Sequence, residues 1–112
     1  MDPIFSRTAR IIDEKGIECL QAKTVAVFGI GGVGSYAAEA LVRAGVGLLI
    51  FIDKDEVDIS NLNRQLVADL TTIGKNKAEV MVSRAHLVNP ACDAKAMPVF
   101  YRPGDEDFIR DL

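Results

Sequence analysis

Apolar residues fall along this chain in two rhythms. Residues 24–28 (Thr-Val-Ala-Val-Phe) and 48–52 (Leu-Leu-Ile-Phe-Ile) are short, nearly unbroken apolar runs, as expected of strands covered on both faces in a parallel sheet. Between them, residues 33–44 place Val33, Ala37, Ala40, Leu41 and Ala44 at helical spacing, and Gly45 supplies a natural stop. The helical period returns over 75–88 through Ala78, Met81, Val82, Ala85 and Val88. Asn89-Pro90 ends it, because proline disfavours helical backbone in the residue before it. Residues 4–21 also predict a helix, with Ser6 as its cap and Gly16 as an interruption. Residues 94–100 predict a third strand that Cys92 leads into, and Pro103-Gly104-Asp105 opens a last short helix with Asp105 as cap. The polar stretch 53–65 predicts a loop with one short helical turn.

Helices and strands therefore alternate. That order implies a parallel sheet with helices on both faces and right-handed crossovers. The fold class is α/β, Rossmann-like and incomplete, about half of a doubly wound sheet. We expect a single domain over 1–112, with 1–22 as an N-terminal helical segment, and the missing second half suggests a piece of a longer fold.

Composition narrows the setting. The chain has 112 residues, 49% of them hydrophobic, and a net charge of −3. That balance argues against a broadly basic nucleic-acid surface but leaves room for a local basic pocket. The charge-free run around 46–52 is far shorter than the roughly 20 residues of a membrane span, and the N-terminus has no apolar signal region. Two cysteines, Cys19 and Cys92, make no CxxC pair. They fit a reducing cytoplasm, suggest neither a disulfide framework nor a zinc site, and are read as core or incidental. His86 has no partner pattern and is read as packing or surface. Glu39 and Arg43 form an i,i+4 pair expected on the surface.

The densest chemistry lies at Phe-Gly-Ile-Gly-Gly-Val-Gly, where the first strand meets the next helix. Gly29 allows a sharp turn, bare backbone at Gly31 and Gly32 allows close approach of a phosphate, and Gly34 lets helix and strand pack tightly. The amides at the helix start would face an anion. Asp53, at the end of the second strand, is placed to accept both ribose hydroxyls, the alternative being a turn or cap residue. Asp55, Ser60, Asn61, Asn63, Arg64 and Gln65 crowd in after it, followed by Lys75 and Lys77. Arg64 and Lys77 would neutralise a triphosphate and its pyrophosphate leaving group, and the nearby acids could hold Mg²⁺. The alternative is a solvated charged loop. Tyr36 is open to either a pocket-rim or a packing role.

These residues are similar to a known family. Gly-Ile-Gly-Gly-Val-Gly-Ser-Tyr-Ala-Ala-Glu-Ala-Leu-Val-Arg-Ala-Gly-Val-Gly, Ile-Asp-Lys-Asp-Glu-Val-Asp, Ser-Asn-Leu-Asn-Arg-Gln and Gly-Lys-Asn-Lys-Ala-Glu stand in order over much of the chain. Together they resemble the ThiF/MoeB/HesA superfamily of ATP-dependent adenylating enzymes, related to activators of ubiquitin-like proteins. Phe-Ser-Arg-Thr-Ala-Arg at 5–10 and Asn-Pro-Ala-Cys further resemble the TcdA-like branch, the tRNA threonylcarbamoyladenosine dehydratases. The resemblance implies ATP and Mg²⁺ as cofactors, with Gly29, Gly31, Gly32 and Gly34 against the nucleotide. It implies Asp53 on the ribose, Asp55 beside the phosphates, and Asn61, Arg64 and Gln65 in the Asn-x-x-Arg-Gln segment, with Arg64 on phosphate. Lys77 would reach the α-phosphate side. Arg7 would reach the γ-phosphate in a neighbouring subunit of a homodimer; its alternative is a solvated charge. The family's magnesium-binding aspartate follows the next strand and has no counterpart here, so no metal ligand is assigned and Asp111 is read as a helix-end residue. The implied substrate is a carboxylate on tRNA. The rivals are a ubiquitin-like sulfur carrier, a non-catalytic nucleotide-binding or dimerisation module and, more distantly, an NAD-dependent oxidoreductase, where Arg64 and Lys77 would have no role.

Overall fold

The computed structural model describes residues 2–102 together with 104, 105, 107 and 110. Its elements run in the order 3-10 turn Pro3–Phe5, α1 Ala9–Gln21, β1 Thr24–Phe28, α2 Gly34–Ala44, β2 Leu48–Ile52, 3-10 turn Ile59–Asn63, α3 Lys77–Val88 and β3 Asp93–Met97. The three strands form one parallel sheet in the order β1-β2-β3. Thr24 pairs with Leu48, and Leu48 with Asp93, so the strands start level and their C-terminal ends share one edge.

The unbroken apolar run places β2 in the middle, where no polar position is tolerated. Leu49 and Phe51 enter the main core with Ala38 and Val42 of α2 and Ala78, Met81 and Ala85 of α3. Ile50 and Ile52 point the other way and are equally buried, so β2 is covered on both faces. β1 is only half covered, with exposed residues at both ends. The reason is its position at the side of the three-stranded sheet, not its composition.

One amphipathic stripe and the N-terminal segment differ from the sequence expectation. In α2 the buried positions are Ser35, Ala38 and Val42, whereas Val33, Ala37 and Ala40 are exposed. A serine faces inward because its hydroxyl both donates and accepts, as described below, and the buried face runs through Ala38 rather than Ala37 and Ala40. In α3, Ala78, Met81 and Ala85 are buried as expected, and Asn76 caps the helix by accepting the Glu79 amide. The N-terminal region is not one helix from residue 4. Asp2, not Ser6, caps the opening turn, its carboxylate accepting the Ile4 N–H at 3.1 Å. The break in α1 falls at Asp13 (φ 62°) rather than Gly16. A Cβ at Gly16 would stand 2.8 Å from that of Ile12, so the glycine makes room for Ile12. The third strand stops at Met97, before Pro98. The helix expected after Pro103 falls largely outside the described residues.

At the N-terminal end of the sheet two glycines admit neighbouring chain. Gly45 (φ 95°) lies under the Phe5 ring, and a Cβ on Gly47 would lie 1.8 Å from the Gln21 carbonyl oxygen. Cys92 is buried there, its thiol donating to the Val46 carbonyl at 3.6 Å. Burial, aided by Asp93, pushes that thiol's pKa up, away from the reactive thiolate. Cys19 is exposed and free.

Glu39 is more than a surface partner of Arg43. Its carboxylate also takes a two-point contact from Arg84 of α3, at 2.8 and 3.0 Å, and its side chain is 12% exposed. It thus ties α2 to α3. Burial raises its pKa, but hydrogen bonds from Arg84 and then Arg43, with their charges, outweigh burial and leave the group below its usual 4.5. A depressed carboxylate stabilises the fold fully above its unfolded pKa, and that contribution is lost as pH falls through the folded value. We therefore predict that Glu39→Gln lowers stability at pH 7 by about 1–2 kcal/mol. Below pH 4.5 the gap between variant and parent should narrow in urea melts; a pH-independent gap would contradict the assignment.

Candidate functional site

The C-terminal edge of the sheet carries nearly all of the residues singled out from the sequence. At the end of β1, Gly29 takes a φ of 86° and its amide donates to the Ile52 carbonyl at 2.8 Å. The chain then turns back so tightly that a Cβ on Gly34 would lie 1.7 Å from the Gly29 carbonyl oxygen. Helix α2 begins there without any side-chain cap, so its first amides are left to the loop in front. A Cβ at Gly31 or Gly32 would meet nothing closer than 3.8 Å. Neither glycine is needed by the chain's own packing, and both leave backbone open to a ligand.

Asp53 closes the loop from the other side. One carboxylate oxygen accepts the Ile30 N–H at 2.7 Å and the other the Asp55 N–H at 2.8 Å. Asp53 therefore makes a turn, the alternative offered by the sequence, and is clasped against the glycine loop with lone pairs to spare. Asp55 is exposed, while its carbonyl accepts the Lys77 amide at 3.0 Å.

Gln65 and Arg64 bring the second polar cluster to the same loop. The Gln65 amide nitrogen lies 3.8 Å from where a Gly31 Cβ would be, and the Arg64 stem lies 3.9 Å from the equivalent point on Gly32. The Arg64 guanidinium is steadied by the Ser60 carbonyl at 3.2 Å and Asn63 Oδ1 at 2.9 Å. Gln65 is 8% exposed, and its Oε1 is buried with no hydrogen-bond partner. A buried acceptor left unmatched is costly. Lys77 opens α3 and is also 8% exposed. Its charge reaches Asp58, whose pKa is lowered first by hydrogen bonds from Ser60 and also by Lys77.

Two expected residues sit differently. Asn61 is buried, but its Oδ1 is spent on the Asp58 amide at 2.8 Å, within the capping box of the 3-10 turn. Arg7 is exposed and is not brought to this edge; it follows Phe5, which is seated on Gly45 at the opposite end of the sheet.

Several neighbours escaped the sequence reading. Ser35 donates its hydroxyl to the Gly31 carbonyl and accepts the Leu66 N–H at 3.1 Å. It thereby binds the glycine loop to the Arg64-Gln65 segment. A cleft of about 300 Å³ opens beside Asp53, walled by Phe28, Gly29, Ile52, Phe100 and Tyr101. Phe28 and Tyr101 meet edge to face at 5.1 Å, and the Lys54 ammonium lies 4.9 Å over the Phe100 ring. The available signal is an aromatic residue closing the first strand and two more shortly after the third, at the edge where parallel sheets take ligands. The arrangement can take a flat apolar ring in the cleft, a diol at Asp53 and an anion over the loop. Among the described residues, no three His, Cys, Asp or Glu side chains are grouped to hold a metal ion, and no helix is long and apolar enough to cross a membrane.

Known proteins share this sequence pattern and fold. Residues 5–112 match the model of the ThiF family. The chain is 52% identical over 97 residues to the tRNA threonylcarbamoyladenosine dehydratase of Bacillus subtilis (strain 168), covering 87% of this chain and 38% of that protein. It is 37% identical over 98 residues to the adenylyltransferase and sulfurtransferase UBA4 of Vanderwaltozyma polyspora, covering 85% of this chain and 22% of that protein. The crystal structure of Escherichia coli tRNA N6-threonylcarbamoyladenosine dehydratase, TcdA, in complex with ATP superposes with a TM-score of 0.92 at 40% identity, over 96% of this chain and 44% of that one. The chain thus spans less than half the length of these relatives.

Two substitutions test the loop. Gly34→Ala should prevent the native turn and abolish the cooperative thermal transition or lower its midpoint by well over 10 °C. Ser35→Ala should fold but lose about 1–3 kcal/mol in denaturant titration, because the part-buried Leu66 amide loses its acceptor. Parent-like stability in either variant would contradict the packing described.

Proposed function

Because the chain belongs to the ThiF family, we propose that the full-length protein binds ATP at this edge and uses it to activate a carboxylate by adenylation. The observation that carries this reading is the Asp53 carboxylate clasped on the Ile30 amide, which sets a ribose-binding acid directly against a glycine loop. Adenine then occupies the aromatic cleft, the ribose hydroxyls meet Asp53, and the phosphates run over Gly31 and Gly32 towards Arg64, Gln65 and Lys77. A carboxylate oxygen of the substrate attacks the α-phosphorus. The bond from that phosphorus to the bridging oxygen breaks, pyrophosphate leaves, and an acyl-adenylate forms.

Such a site works by positioning and by neutralising charge. Arg64, already held by Ser60 and Asn63, supplies fixed charge for the departing pyrophosphate, and Lys77 supplies it near the α-phosphate. Asn61 acts here by shaping the turn that presents Arg64. Mg²⁺ accompanies the triphosphate with Asp55 beside it; among the described residues no three His, Cys, Asp or Glu side chains are grouped to hold the ion, so no step is assigned to the metal.

The substrate we favour is the threonyl carboxylate of N6-threonylcarbamoyladenosine in tRNA. Once adenylated, its carbonyl carbon is attacked by a nucleophile of the same side chain, the bond from that carbon to the AMP oxygen breaks, AMP leaves, and the nucleoside has closed a ring with net loss of water. The identity to the Bacillus subtilis dehydratase supports this choice. The chain's net charge of −3 means that the tRNA footing comes from elsewhere in the protein or from a second subunit. Arg7, far from its own cradle, would serve the site of a neighbouring subunit in a homodimer, and a tRNA substrate places the protein in the cytoplasm. The likeness to UBA4 supports a second reading, in which the carboxylate is the C-terminus of a ubiquitin-like sulfur carrier.

Each charge-assisted contact contributes roughly 1.5–3 kcal/mol. Arg64→Ala and Lys77→Ala in the full-length protein should each reduce ATP–pyrophosphate exchange at least tenfold. Undiminished exchange would remove both residues from the mechanism. Mass spectrometry of tRNA nucleosides from a deletion strain decides the substrate: loss of the cyclic nucleoside is expected, and its persistence would favour the carrier reading.

A further inference from the structure

Asn76 stands where the two sides of the cradle meet. As the N-cap of α3, its Oδ1 accepts the Glu79 N–H at 3.1 Å. The same amide's Nδ2 donates to the Asp53 carbonyl at 2.9 Å and reaches the Asp55 carbonyl at 3.4 Å. An oxygen facing an N–H and a nitrogen facing two carbonyls allow one orientation of the amide. Around it the backbone is zipped: Gly74 donates to Val57 at 2.8 Å, Val57 to Lys75 at 2.8 Å and Lys77 to Asp55 at 3.0 Å. Glu56 and Asn76 form an antiparallel bridge.

Capping alone does not require asparagine, since serine and aspartate cap as well. Neither of them offers an amide N–H to Asp53. We propose that Asn76 is a positioning residue that sets the spacing between Asp53 and Lys77, the ribose-side acid and the phosphate-side cation of the ATP reading on which this inference rests. Its side chain fixes the Asp53 backbone, and the Asp53 carboxylate in turn holds Ile30 and the glycine loop. Lys77 is the next residue along. One amide therefore ties ribose, loop and phosphate positions to the first turn of α3. Displacing one of them by a fraction of an ångström weakens every contact that depends on the others.

Asn76→Ser in the full-length protein keeps a cap and removes the donor. Its thermal midpoint without nucleotide should stay within about 2 °C of the parent, while ATP affinity by calorimetry falls about five- to tenfold. In an Asp53→Ala background the same change should cost less than about twofold, because the acid it positions is gone. Asn76→Thr, which also caps without an amide donor, should match the serine variant and serves if serine does not fold. Parent-like ATP affinity in both variants, or a loss that multiplies in full with Asp53→Ala, would overturn the role of Asn76 alone. Failure of the unaltered protein to bind ATP would overturn the ATP reading, and this inference with it.

Discussion

At Gly34 the backbone of α2 passes so near the end of β1 that no side-chain atom fits between them. The whole C-terminal edge depends on that approach. It forces the chain through the positive φ of Gly29, brings the start of α2 up to the loop without a cap, and turns Ser35 inward. Ser35 then couples the loop to the Arg64-Gln65 segment through the Leu66 amide. A bend that is geometrically obligatory thus becomes the reference point from which the polar side chains are placed.

The second organising tie is electrostatic. Asp53 satisfies two backbone amides while leaving acceptor capacity towards the cleft. Arg64 is braced by neighbouring oxygens, and Lys77 is largely withdrawn from water at the first turn of α3. Groups held this way need little rearrangement when charge arrives, the condition under which fixed dipoles and cations are most effective.

How much of this is legible in the sequence differs by element. The runs 24–28 and 48–52 coincide with β1 and β2, because a strand buried in a parallel sheet leaves a local record in uninterrupted apolar residues. The glycine turn, Asp53, Arg64 and Gln65 lie side by side, and Lys77 joins this edge through its amide to the Asp55 carbonyl. The inward face of α2 was not legible, since a buried serine is recognisable only once its partners, Gly31 and Leu66, are known. The break at Asp13 and the cap at Asp2 likewise depend on where the N-terminal segment docks. Glu39 looked like a surface pair with Arg43 because the second arginine comes from α3. Phe28, Phe100, Tyr101 and Asn76 act through tertiary register, which brings distant positions side by side and leaves no periodic trace.

The far end of the sheet repeats the device seen at Gly34, with Gly47 under the Gln21 carbonyl. Both ends are therefore joined main chain to main chain. Alanine, ordinarily the gentlest replacement in a mutational scan, becomes at these two positions among the harshest. The domain's tolerance map should carry two single-methyl vetoes, one at each pole, around a middle whose aliphatic side chains can trade shape for shape.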